Sequence, residues 1–175
     1  GIAKKKKFFL FLHYTNIHTE NIKNVAKKYT DFDEEYFKNY KLNKKNYNSY
    51  LKKMDFYVKE VFDHIKNSNL LRNTILVIFS DHGTSNGEKI GERMYGSFTY
   101  DYTIKVFCSI LMPNAKGREI KLQARTIDLM PTLLDISKIH VDDSYERLQG
   151  GSLTPLIEGK EKEKKTAKKN FEKNL

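Results

Sequence analysis

The chain has a single cysteine, Cys108, so no intrachain disulfide can form. That fits a reducing compartment; the compartment itself stays open, with the cytoplasm favoured. No apolar run approaches the roughly 20 residues needed to span a bilayer, so no transmembrane segment is expected. The apolar stretch at residues 8–12 follows a lysine run, as in a signal peptide. It is too short for one, and no small-residue cleavage pattern follows it. It reads instead as a buried strand. No internal repeat is present. The formal charge is +10, but much of the excess lies in the terminal stretches "AKKKK" and "GKEKEKKTAKKNFEKNL". These lack the interleaved aromatics of a base-stacking surface, so no nucleic-acid partner is expected.

What remains is enough for a folded domain. The 175 residues, 39% of them hydrophobic and 31% charged, suit one domain with a real core. "KFFLFLHYT" is almost wholly apolar or aromatic, the pattern of a strand buried on both faces of a parallel sheet. Residues 31–41, "DFDEEYFKNYK", open with acidic residues like a helix N-terminus. Tyr47, Tyr50, Leu51, Met54, Val58, Val61, Phe62 and Ile65 recur at spacings of three and four and predict a helix from about Tyr47 to Asn67. "TILVIFS" is a second buried strand, rich in β-branched residues. Strand, helix and strand make a crossover unit, which is almost always right-handed. "YTIKVFCSILMP" reads as a third strand closed by Pro113. "TIDLMPTLLDISKI" reads as a helix with Pro131 in its first turn and Asp128 or Thr126 as its cap. The expected fold class is α/β, a mostly parallel sheet sandwiched by helices.

Ligands in open α/β sheets bind beyond the carboxyl ends of the strands. His13 and His18 follow the first predicted strand, and Asp81 with His82 follows the second. A carboxylate with a neutral imidazole suits zinc or manganese, and carboxylate-rich sites favour calcium or magnesium. The bland alternative is a strand-end Asp that accepts loop N–H groups beside a hydrogen-bonded histidine. The pair alone is half a site. The glycine-rich loop after it, with Glu88 and Glu92, is of a kind that brings backbone close to an anion. Asp33, Glu34 and Glu35 read as a solvated helix start, and His64 and His140 as surface or boundary residues. Cys108, mid-strand among apolar neighbours, reads as an inert buried thiol.

These segments together resemble the sulfatase family of the alkaline-phosphatase superfamily. "NTILVIFSDHGTSNGEKIGE" looks like its second metal-binding segment, and "YDYTIKVFCSILMPN" like the strand that follows. "ARTIDLMPTLLDISKI" and "LQGGSLTPLIEG" are similar to its later helix and glycine–serine–leucine segment. "FFLFLHYTNIHTENI" resembles the upstream strand whose trailing loop carries a substrate-binding histidine. The resemblance runs in family order over residues 8–159. It implies an alkaline-phosphatase-like fold and hydrolysis of a sulfate or phosphate ester, from a small molecule or a glycan, at a divalent ion. Calcium is favoured for that ion, with magnesium, manganese and zinc as alternatives. By the same resemblance Asp81 and His82 are metal ligands. His18, a better match than His13, is the catalytic and substrate-binding histidine.

The family's nucleophile and further acidic ligands have no match here, and the residues around Cys108 lack the context for formylglycine formation. A family lysine before Tyr100 and Asp101 falls at Gly96 and Ser97. Lys89 or Arg93 is left to supply a substrate-binding cation. The resemblance implies that residues 1–159 are the C-terminal part of a sulfatase-like catalytic domain, inactive without an N-terminal part of the same polypeptide. Residues 160–175 are expected to be a lysine-rich tail, helical or disordered. Two alternatives accompany this reading: a phosphodiesterase or phosphoglycerol-transferase-like member of the superfamily, and a noncatalytic basic α/β interaction module.

Overall fold

The computed structural model describes residues 7–18, 34–95, 98–142 and 148–160. The chain is α/β and divides into two compact units, residues 1–115 and 116–175.

In the first unit a short helix α1 (Glu34–Lys38) leads into a long helix α2 (Tyr40–Asn67). The spacing of apolar residues anticipated α2, and the helix starts seven residues before Tyr47. Tyr47, Tyr50, Met54, Val58, Val61, Phe62 and Ile65 are half-buried along one stripe, while Phe56 and Tyr57 on other faces are exposed. Ser68 closes the helix by donating its N–H to the His64 carbonyl. A turn of 3₁₀ helix then leads to strand β1 (Leu76–Phe79). After a long loop and the single-turn helix α3 (Asp101–Ile104), strand β2 (Cys108–Leu111) returns beside β1. Both strands lie inside the predicted runs and are shorter than them.

The ladder is antiparallel, with Leu76 opposite Leu111, Val77 opposite Ile110, Ile78 opposite Ser109 and Phe79 opposite Cys108. It is the only ladder of two strands among the described residues. No parallel pairing occurs there. The first predicted strand is not formed in this chain: residues 7–15 take no strand conformation, and Phe8 to Leu12 are 48–78% exposed. A strand is held by its neighbours' hydrogen bonds, and none of the described segments pairs with this one. The reading of Cys108 as a buried thiol is corrected, since it is exposed at the first residue of β2. Partial burial still pushes its thiol pKa up, which keeps it a poor nucleophile.

In the second unit, a 3₁₀ turn (Thr126–Asp128) feeds helix α4 (Leu129–Ile136), with Pro131 in its first turn as predicted. The short helix α5 (Thr154–Ile157) packs against it, burying Leu129 and Leu156. Asp128 precedes α4 in the cap position, but its carboxylate turns back instead of capping. It accepts hydrogen bonds from the Arg125 N–H, the Arg125 guanidinium and the Gly151 N–H. Gly150 allows that approach, because a Cβ there would lie 2.0 Å from the Ile127 carbonyl oxygen. Among the described residues, no helix is long and apolar enough to cross a membrane.

Candidate active site

The end of β1 delivers Ser80, Asp81 and His82 to the start of a polar loop, residues 83–95. Ser80 extends the ladder by donating its N–H to the Phe107 carbonyl at 3.3 Å, and Gly83 donates to the Thr103 carbonyl at 2.8 Å. Asp81 and His82, lying between those two anchors, project where the backbone is held on both sides. Gly83 is required by close packing: a Cβ would stand 2.2 Å from the Tyr102 carbonyl oxygen. The glycine therefore brings backbone close to backbone, where the sequence suggested approach to an anion.

The loop beyond is built on buried polar groups. Ser85 is 2% and Glu92 0% exposed. The Ser85 hydroxyl donates to the Glu92 carbonyl at 3.1 Å, and the Asn86 N–H donates to Glu88 Oε2 at 2.6 Å. Glu92 Oε1 accepts the Phe98 N–H at 3.0 Å. Asn43 of α2 ties the loop down, its amide donating to the carbonyls of Tyr36 (2.8 Å) and Asn86 (2.9 Å). Glu88 and Glu92 thus bond inside the loop, which explains an acid-rich loop without invoking a metal. One buried pair is left incomplete, since neither Glu92 Oε2 nor the Tyr102 hydroxyl completes a hydrogen bond. Burial of that hydroxyl, then the nearby Glu92 carboxylate, pushes the Tyr102 pKa up to about 12.

Asp81 and His82 are arranged differently. The Asp81 side chain is 72% exposed and accepts one local hydrogen bond, from the His82 N–H to Oδ1 at 2.9 Å. His82 Nδ1 lies 2.7 Å from the Gly83 carbonyl oxygen. A carbonyl only accepts, so Nδ1 carries the proton, and in the neutral ring Nε2 keeps a lone pair. Nε2 stands 3.7 Å from Asp81 Oδ2. That is too long for a hydrogen bond. It suits two donors on neighbouring positions of one cation with bonds of about 2.0–2.5 Å. The residues present therefore fit part of a divalent site. No group of three His, Cys, Asp or Glu converges among the described residues, so the pair accounts for part of a coordination shell only.

His18 lies beside this pair, linked to it by a residue the sequence reading passed over. The Tyr95 ring packs on the His82 ring with centroids 4.0 Å apart, and its hydroxyl is 3.0 Å from His18 Nδ1. An aromatic next to a motif has no distinctive sequence signal, so only the folded loop reveals it. His13 is exposed against Phe11, and His64 and His140 are exposed. Arg93 places its guanidinium 5.5 Å over the Tyr36 ring, and Lys89 is exposed. Gly96 and Ser97, where the lysine of the resemblance would fall, lie outside the described residues.

Comparison with known proteins gives a consistent answer. The Sulfatase family model matches residues 2–139. A sulfatase of Formosa agariphila is 31% identical over 113 residues, covering 62% of this chain and 20% of that protein. Arylsulfatase K of Gallus gallus is 28% identical over 104 residues, 59% of this chain and 18% of the relative. The extracellular sulfatase SULF-1 homolog of Drosophila melanogaster is 28% identical over 108 residues, 61% of this chain and 9% of the relative. The matched region spans a fifth or less of each of these relatives.

Proposed function

Starting from the chain's membership of the sulfatase family, we propose that it forms the C-terminal part of a catalytic domain that hydrolyses sulfate esters. Residues 1–159 belong to that domain in this reading, and residues 160–175 form a tail. In the complete domain, β1 and the 8–12 segment join a larger, mostly parallel sheet sandwiched by helices. Asp81, through Oδ2, and His82, through Nε2, hold a divalent ion, with calcium favoured. When bound, that ion supplies electrostatic stabilisation of the ester's oxygens. His18 binds the anionic group and hydrogen-bonds to charge developing on the leaving oxygen. Lys89 or Arg93 adds positive charge near the sulfate. The nucleophile and the remaining ligands come from another part of the polypeptide.

The observation that carries this reading is the Asp81–His82 pair. Its two outward donors are 3.7 Å apart, and the Tyr95 whose ring packs on His82 reaches His18 with its hydroxyl. The test is turnover of an aryl sulfate, with the aryl phosphate as comparison. The 175-residue chain alone is expected to be inactive, and robust turnover by it would overturn the proposal. The full-length protein is expected to favour the sulfate. A preference for the phosphate would move the assignment to the phosphoryl-transferring members of the superfamily.

A further inference from the structure

Tyr95 is placed by an unusual piece of backbone. The preceding residue, Met94, is 3% exposed and has φ of 61°, a left-handed conformation that non-glycine residues seldom take. Such a conformation persists only where the surroundings over-determine it. Here the surroundings are visible. The Met94 carbonyl accepts the Ser85 N–H and, at 3.2 Å, the Thr84 hydroxyl, in a single antiparallel bridge that closes the loop. Closure reverses the chain at Met94 and brings Tyr95 back over the start of its own loop. Its ring then meets His82 at 4.0 Å, tilted by 39°. Its hydroxyl reaches His18, 77 residues away in sequence, and the two rings are 5.8 Å apart.

A tyrosine that merely covered His82 would need its ring alone. Here ring and hydroxyl contact different histidines, and the hydroxyl meets a nitrogen whose protonation decides what the opposite edge of the imidazole offers. When the phenol donates to Nδ1, the neutral His18 ring carries its proton on Nε2. The exposed edge of His18 then presents an N–H to an anionic oxygen. We propose that Tyr95 is the positioning residue of this site, holding His18 beside the Asp81–His82 pair and fixing it as a donor through Nε2. The proposal takes its meaning for catalysis from the sulfatase reading above, but its geometry stands on this chain alone.

The test uses the 175-residue chain, labelled with ¹⁵N, at about pH 8, above the ordinary histidine range. Imidazole ¹⁵N–¹H spectra of the wild type are expected to show His18 as a single Nε2–H tautomer. Cross-relaxation should link the Tyr95 ring to both His18 and His82. Tyr95→Phe keeps the ring, so His82 should retain its ring-current displacement while His18 loses its tautomer preference. Tyr95→Leu should lose both signatures. An unchanged His18 spectrum in Tyr95→Phe would overturn the proposal, as would a wild type with no Tyr95–His18 cross-relaxation. Mn²⁺ titration provides an arm that tests the metal reading separately. Broadening of both histidines in the wild type, with His18 broadened less in Tyr95→Leu, supports both ideas. Equal His18 broadening in the two proteins counts against the positioning role. Absence of broadening at His82 shows that the pair alone does not hold the ion in this chain, and the metal-free spectra still decide the role of Tyr95.

Discussion

Asp81 and Asp128 both sit in short motifs of the kind that invite a functional reading, and the structure treats them in opposite ways. The Asp128 side chain is 7% exposed and accepts hydrogen bonds from two backbone N–H groups and the Arg125 guanidinium. Its lone pairs are consumed in joining the start of α4 to the segment at Gly151. The Asp81 side chain is 72% exposed, accepts one N–H from its own neighbour, and keeps Oδ2 facing an imidazole nitrogen beyond hydrogen-bond range. A carboxylate surrounded by donors organises its own fold, and one with acceptor capacity left over can serve a ligand. The count of satisfied lone pairs separates the two roles better than residue type or motif.

This contrast yields its largest expected effect in activity. In the full-length protein, Asp81→Ala should lower aryl sulfate turnover on the order of 10³-fold, the equivalent of the several kcal/mol that a metal ligand helps supply. The same change in the 175-residue chain should alter stability by no more than about 0.5 kcal/mol, as for other exposed positions. Full activity in the variant would return the pair to the noncatalytic interaction module.

Asp128→Ala should do the reverse within the second unit. Removing the carboxylate strands the Gly151 and Arg125 N–H groups and half of an ion pair, a loss of about 3 kcal/mol. Urea denaturation followed by signals from α4 would measure it. Equal destabilisation by Asp81→Ala and Asp128→Ala would erase the distinction.

How much of this was legible beforehand follows from the range of the forces involved. The α2 stripe and the apolar runs containing β1 and β2 come from local periodicity, which sequence displays directly. Pro131 at the start of α4 is equally local. The identity of strand partners is not, so the sequence could not tell that β1 pairs antiparallel with β2, or that residues 8–12 stand exposed without a partner strand among the described residues. Among the candidate site residues, Asp81 and His82 stand out because a motif puts them side by side. His18 and His13 stand out together by following the first apolar run, and the family resemblance alone prefers His18. Tyr95 was missed because its value depends on a reversal at Met94 that no composition or spacing encodes. Glu88 shows the opposite case, since its acidity is plain in sequence and the loop N–H that its carboxylate accepts is not.

A pH experiment sharpens the comparison further. Burial is the largest single influence on the Asp128 pKa and raises it, but the Arg125 guanidinium and the Gly151 and Arg125 N–H groups together outweigh it, so the net shift is downward from 3.8. A carboxylate held low in the folded state adds stability above its unfolded pKa and loses it as pH falls through the folded one. The stability gap between wild type and Asp128→Asn should therefore be full at neutral pH. It should close progressively below about pH 4. A gap that stays constant into acid would mean that the ionised form is not what holds α4 to the Gly151 segment.

The smallest effect is expected where a polar group is buried and unsatisfied. Because the Tyr102 hydroxyl lacks a completed hydrogen bond, Tyr102→Phe removes a desolvated group and no bond, and near pH 7 it should change stability by less than about 0.5 kcal/mol. The two proteins should diverge in alkali. The folded pKa of about 12 lies above the ordinary 10.0, so the unfolded chain gives up this proton first. The wild type then has a stability contribution intact below pH 10 that disappears as pH rises through the folded value. The Phe variant has no such proton, and its stability curve should be flatter over that interval. A marked loss already at neutral pH would show that the hydroxyl donates to Glu92 in solution. Glu92 would then join Asp128 as a carboxylate with its acceptors filled, leaving Asp81 alone among the three with capacity to spare.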